Sequence, residues 1–123
     1  MARRFVLLGV AVVGAPAVAL AQPAPPAAPV SPAVAREARA HFDRGMTLLD
    51  SENFDGALAE FQRSYTLSPR PSVLYNIGVA QQALHNYPAA AHSLERYLQE
   101  SGRTLPTARR TEIERILGQL QTL

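Results

Sequence analysis

Three histidines, His41, His85 and His92, are the side chains of this sequence best equipped for chemistry. Imidazole nitrogens serve as metal ligands and as general bases, and both uses need partners held close by. No carboxylate stands at metal-ligand spacing beside any of the three, and the chain has no cysteine. Ser64, Ser72 and Ser93 lack the glycine frame of a nucleophile elbow. No glycine-rich segment has the form of a phosphate-binding loop. The carboxylates are scattered, with no pair placed to converge as a glycosidase needs; they read as solubilising groups. The residues thus predict no enzyme, no metal and no cofactor, and attention passes to binding.

Charge narrows the choice of partner. The 12 basic and 10 acidic residues give a net charge of +2, and every basic residue is an arginine. Two of those arginines, Arg3 and Arg4, precede an uncharged apolar run from Phe5 to Leu20 and the small-residue pattern Ala19-Leu20-Ala21. That layout predicts a Sec-type signal peptide over residues 1–21, cleaved before Gln22. The competing reading is an uncleaved anchor, but the run is shorter than a bilayer span and is interrupted by Gly14 and Pro16. Cleavage would leave a formally neutral chain, so the excess of positive charge is no argument for nucleic acid. With no cysteine after the leader a lipoprotein is not expected, and contact with a membrane would be only indirect. Arginine without lysine, in a chain rich in alanine and proline, suggests a GC-rich bacterial genome. The expected location is periplasmic or secreted.

Residues 22–32 hold five prolines, at 23, 25, 26, 29 and 32. Such a run favours extended conformation and has no apolar periodicity to bury, so it reads as a tether; a ligand for a proline-recognising domain is the alternative. Beyond it the apolar spacing is helical throughout. Ser31-Pro32 opens a first helix carrying Val34, Ala38, Phe42, Gly45, Met46 and Leu49, which ends near Asp50. Asn53 caps a second over 54–67, and Pro69 and Pro71 break the chain. A third runs from Pro71 to about Leu84, and Asn86 caps a fourth over 87–100. A fifth, over 106–121, lines up Ile113, Ile116, Leu117 and Leu120. The sequence predicts an all-α fold of five helices.

Those helices repeat. Gly45, Asn53, Phe54, Ala57, Phe61 and Arg63 recur 33 residues later as Gly78, Asn86, Tyr87, Ala90, Leu94 and Arg96. Glycine inside a helix costs about 1 kcal/mol relative to alanine. Its recurrence in register with an alanine and a large apolar residue points to two helices crossing closely at that place. Ala57 and Ala90 are then the matching small residues, with Phe61 and Leu94 at the seam between units. Together with Pro69 at the end of the first unit, these residues resemble the tetratricopeptide repeat family. The resemblance implies an antiparallel helix-pair solenoid with repeats at about 38–70 and 71–103 and a C-terminal capping helix at about 106–121. Two units are fewer than the roughly three that such stacks need. The capping helix would supply the missing surface, turning Arg109, Arg110, Glu112 and Arg115 outward. Departures from the family pattern are His41 and Arg44 where large apolar residues are usual, and Gln81 where tyrosine or leucine is expected.

The resemblance also implies a concave face formed by the first helix of each unit. Carried onto this chain, its binding residues are Arg39, Phe42, Met46, Leu49, Tyr75, Asn76, Val79 and Gln82. Asp43, Asp50, Ser72 and Ala83 flank them. The face would be largely apolar with aromatic anchors, suited to an extended or helical peptide. Phe42, Met46 and Tyr75 could equally be core, packed beneath the terminal helix. The expected function is an adaptor or scaffold for a protein or peptide partner in the bacterial cell envelope. The competing reading is a self-associating module, a homo-oligomer whose repeat ends stack on each other.

Overall fold

The computed structural model describes residues 28–123. The expected signal peptide and most of the proline-rich tether lie outside the described residues. Five α-helices account for nearly all of the rest: α1 Pro32–Asp50, α2 Phe54–Leu67, α3 Pro71–Ala83, α4 Tyr87–Ser101 and α5 Thr107–Leu120. A single 3₁₀ turn, Gly102–Thr104, follows α4. There is no strand among the described residues. Pro32, the last residue of the expected tether, is the first residue of α1.

Local chemistry sets these boundaries. The Ser31 hydroxyl accepts from the Val34 amide at 3.3 Å, and Pro32 occupies the first turn, where its missing N–H loses nothing. Asn53 and Asn86 accept from the amides of Gly56 and Ala89 at 3.0 and 3.4 Å. At the other end of α2, Ser68 is extended because proline at 69 disfavours a helical residue before it.

The two short hairpins, α1–α2 and α3–α4, are built alike. In the first, the Asn53 N–H donates to Leu48 O at 2.8 Å and the Glu52 N–H to Leu49 O at 3.0 Å. In the second, Asn86 donates to Gln81 O at 2.9 Å and His85 to Gln82 O at 3.0 Å. These are paired C-terminal closures that need a left-handed residue, supplied by Glu52 (φ 60°) and His85 (φ 58°). Each asparagine both completes one helix end and caps the next helix. The chain therefore reverses in three residues, twice, at positions 33 residues apart.

The helices pack in pairs. α1 lies on α2 and α3 on α4 over their full length, α2 packs on α3, and α5 packs on α4. The pairs are antiparallel: Gln81 meets Ser93, Gly78 meets Leu94 and Tyr75 meets Tyr97, one number falling as the other rises. Between pairs, the Tyr65 hydroxyl donates to Glu100 at 2.6 Å and accepts from Arg96 at 2.9 Å, with the guanidinium over the ring at 5.2 Å.

One core runs through the molecule, from Ala57 and Phe61 through Leu74, Ile77, Ala90 and Leu94 to Ile113, Leu117 and Leu120. Ile113 on α5 is fully buried, a placement that contributes roughly 1.5–3 kcal/mol. The two recurring glycines, Gly45 and Gly78, sit at crossings. A Cβ on Gly45 would stand 2.6 Å from the ring of Phe61, and one on Gly78 would stand 3.0 Å from the Leu94 side chain. The glycines make room for the large residues of the partner helix.

α5 departs from expectation on its polar side. Glu112 and Arg115 face solvent, but Arg109 and Arg110 do not form part of an outer cap. Arg109 stacks on the Tyr75 ring, 4.3 Å from its centroid, and Arg110 donates to Gly102 O at 2.5 Å. Both lie in the first turn, where α5 leaves the 3₁₀ turn and passes close to α4 and α3. Their long stems fold inward there over apolar surface.

Candidate functional site

The eight residues of the expected concave face lie on α1 and α3, spaced by helical turns. Arg39 is exposed and its Nε donates to Asp43 at 2.9 Å. Phe42, Met46 and Leu49 are half-buried and touch the core cluster; the Phe42 ring lies 5.6 Å from that of Phe61. On α3, Tyr75 is half-buried with its ring 5.8 Å from Tyr97. Val79 and Asn76 are half-buried and Gln82 is exposed. Asn76 donates from Nδ2 to Ser72 O at 3.2 Å on its own helix, which leaves its carbonyl oxygen to accept.

The choice between groove and core for Phe42, Met46 and Tyr75 has a divided answer. Each packs on the core with one side and keeps the other open; none is fully buried, in contrast to Phe61, Leu74 and Ile113. The two helices differ in what covers them. Nothing on α5 is recorded against Phe42 or Met46, whereas Arg109 covers Tyr75. Arg109 also donates to Glu112 at 2.8 Å, and that bond, followed by contacts with the two tyrosines, raises its pKa still further above the ordinary arginine value. Arg109 is thus a permanent cation clamped on an aromatic face. Sequence spacing places Arg109 on an outward face; its contact with Tyr75 joins residues 34 apart.

The histidines also differ from their sequence reading. The sequence reading assigns His41 no carboxylate at ligand spacing, but Glu37, one helical turn back, lies 3.9 Å from its Nε2, and folding places Glu60 Oε2 at 2.6 Å from its Nδ1. Arg44 donates from Nε to the same carboxylate at 3.3 Å, and its Nη2 lies 2.8 Å from His41 Nδ1. One ring nitrogen cannot donate to Glu60 and accept from Arg44 at the same time. The His41 hydrogen bond, with Arg44 as further help, holds the Glu60 carboxyl below its ordinary pKa. Among the described residues no group of three or more His, Cys, Asp and Glu is arranged to hold a metal ion. The His85 ring meets the Tyr87 hydroxyl through Nδ1 at 2.7 Å, a contact inside the second hairpin. Gln81 accepts from the Ser93 hydroxyl at 2.6 Å, so a polar pair stands between α3 and α4 where the repeat pattern would have an apolar residue.

Compared with protein-family models, with curated proteins and with solved structures, the chain matches none. Among the described residues no helix is long and apolar enough to cross a membrane.

Proposed function

We propose that this chain is a tetratricopeptide-like interaction module, two repeats closed by a terminal helix, that holds a protein or peptide partner on the α1–α3 face. It acts as an adaptor or scaffold in the cell envelope, delivered by the leader of residues 1–21. Three features support the repeat assignment. The hairpins reuse the same capping chemistry 33 residues apart, Gly45 and Gly78 stand at equivalent crossings, and Tyr65 joins the second helices of successive pairs.

The observation that carries the binding reading is the half-open row Phe42, Met46, Leu49, Tyr75 and Val79. Apolar side chains held from behind and open in front lose little conformational freedom when a ligand covers them. Asn76 adds a carbonyl acceptor within that row. Self-association by stacked ends has less support, because both terminal faces are polar: Glu37, Arg44 and Thr47 on α1, and Glu112, Arg115 and Gln119 on α5, are all exposed. The exposed large apolar residues among those described are Val30, ahead of α1, and Leu123, which borders a concavity with Tyr87, Pro88, Ala91 and Leu120; that concavity is the one apolar feature among them that favours stacking.

The test is crosslinking capture from periplasmic and membrane fractions of the native host, with wild type beside a Met46→Ala, Tyr75→Ala double variant of matched folded fraction. Partners retained by wild type and lost by the variant are the expected result. Identical capture by both, or capture only of the chain itself, would remove the groove and leave self-association.

A further inference from the structure

A cleft of about 140 Å³ opens at the other end of α1, where it meets the last turn of α2 and the first turn of α3. Ser64 and Ser68, on α2 and just past its end, form its floor and are only 3% and 8% exposed. Neither hydroxyl has a hydrogen-bond partner among the described residues, yet no side-chain oxygen among them is both sealed from solvent and unpartnered. Both hydroxyls therefore open into the cleft. Burying a hydroxyl without a partner is unfavourable, and a ligand acceptor would relieve it.

The remaining walls specify the sign and shape of that ligand. α3 begins at Pro71, and its N-cap is Arg70, which offers no side-chain acceptor to the first-turn amides. Pro71 has no N–H and the Val73 N–H donates to Arg70 O at 3.0 Å, so the positive end of α3 faces the cleft through the Ser72 amide. Arg39 and Arg70 add two guanidinium groups, and no carboxylate lines the space. Arg39 spends Nε on Asp43 and retains its terminal nitrogens; Arg70 joins no ion pair among the described residues. Opposite these donors, Ala38, Phe42 and Val73 make an apolar wall. The volume is close to that of a cavity that accepts one benzene ring.

We infer that this cleft binds a small carboxylate carried on a single aromatic or branched aliphatic group. The carboxylate takes the serine hydroxyls, the α3 amide end and Arg70, and the apolar body lies against Ala38, Phe42 and Val73. The cleft shares Arg39 and Phe42 with the proposed groove, but Ser64, Ser68 and Arg70 lie outside it, so their variants test the cleft apart from the peptide-binding proposal.

The inference is tested by titrating the isotopically labelled protein with benzoate and with isovalerate, following backbone amide resonances. Benzamide serves as the neutral counterpart and inorganic phosphate as the anion without a body. Saturable shifts at Ser64, Ser68, Ser72 and Val73 with at least one carboxylate are expected. Arg70→Gln, an exposed substitution that leaves the fold intact, should weaken that binding roughly tenfold or more. Ser64→Ala should weaken it severalfold at an unchanged melting temperature. Absence of saturation with both carboxylates would overturn the proposal, as would equal binding of benzamide or indifference to Arg70→Gln. Phosphate binding as tightly as benzoate would overturn the assignment of an apolar body.

Discussion

The two helix pairs share one plan and differ on one face, and the difference is informative. At 33-residue offset, His41 corresponds to Leu74, Arg44 to Ile77 and Glu60 to Ser93. In the second pair Leu74 and Ile77 are buried, 1% and 6% exposed, because α2 packs over them. In the first pair no helix packs over this side of α1 among the described residues, and the same positions carry the His41–Glu60–Arg44 cluster. Under the proposed repeat reading these polar residues suit an end unit, whose outer face meets solvent. A second contrast lies at the crossings: Gly45 faces a buried aromatic ring, Gly78 the flexible tip of a leucine.

Exchange of face residues between the pairs should give the largest effect. Ile77→Arg places an unpaired charge in the core and should destabilise by more than about 3 kcal/mol. The reciprocal His41→Leu should change stability by no more than about 1 kcal/mol. Urea melts of both would decide it, and similar losses would mean that α1 is not an end face. Next come the glycines. Gly45→Ala forces a methyl against a ring that cannot withdraw, so overpacking should outweigh the gain in helix propensity and leave a net loss of about 1–2 kcal/mol. Gly78→Ala should be near neutral, because Leu94 can rotate by a few tenths of an ångström. Equal losses would show that both crossings are limited by backbone instead.

Acid should also separate the pairs. The Glu60 carboxyl is held below its ordinary value of 4.5 in the folded state, so its contribution is complete above that pH and is lost as pH falls through the lower folded value. Glu100, held down first by the Tyr65 hydroxyl, behaves in the same sense at the contact between pairs. Glu60→Gln should flatten the acid limb of the stability profile while leaving Tyr65 fluorescence unchanged. Glu100→Gln should flatten it and perturb Tyr65. The smallest effect belongs to the hairpins. Glu52→Gly relieves a left-handed residue and should stabilise by about 0.5–1 kcal/mol. His85→Gly should give less, because it also removes the contact with Tyr87. Thermal melts of the two variants would rank them.

Much of the fold was legible locally. Serine, asparagine and proline at the helix starts, the 3.6-residue apolar spacing, and glycine recurring with alanine each act over a turn or two of chain. The five helices accordingly stand where the spacing places them. Helical periodicity alone puts Phe42, Met46 and Leu49 on one side of α1, and Tyr75, Val79 and Gln82 on one side of α3. What escaped was every feature made by residues distant in sequence. Along its own helix His41 has Glu37 one turn back, and Glu60 reaches the ring only because α1 and α2 are antiparallel. Arg109 read as a solvent-facing cap residue, and its position over Tyr75 follows from the angle at which α5 leaves the 3₁₀ turn. The serine-lined cleft draws its walls from three helices and had no signature in any one of them.

The sequence by itself determined the helices, their caps and their 33-residue recurrence, since these depend on backbone hydrogen bonding and side-chain period within a few residues. Only the tertiary structure decided which polar groups meet, how far α5 covers the α1–α3 face, and where buried hydroxyls are left facing open space. Those outcomes depend on the relative placement of whole helices, a property set by the packing of the entire core.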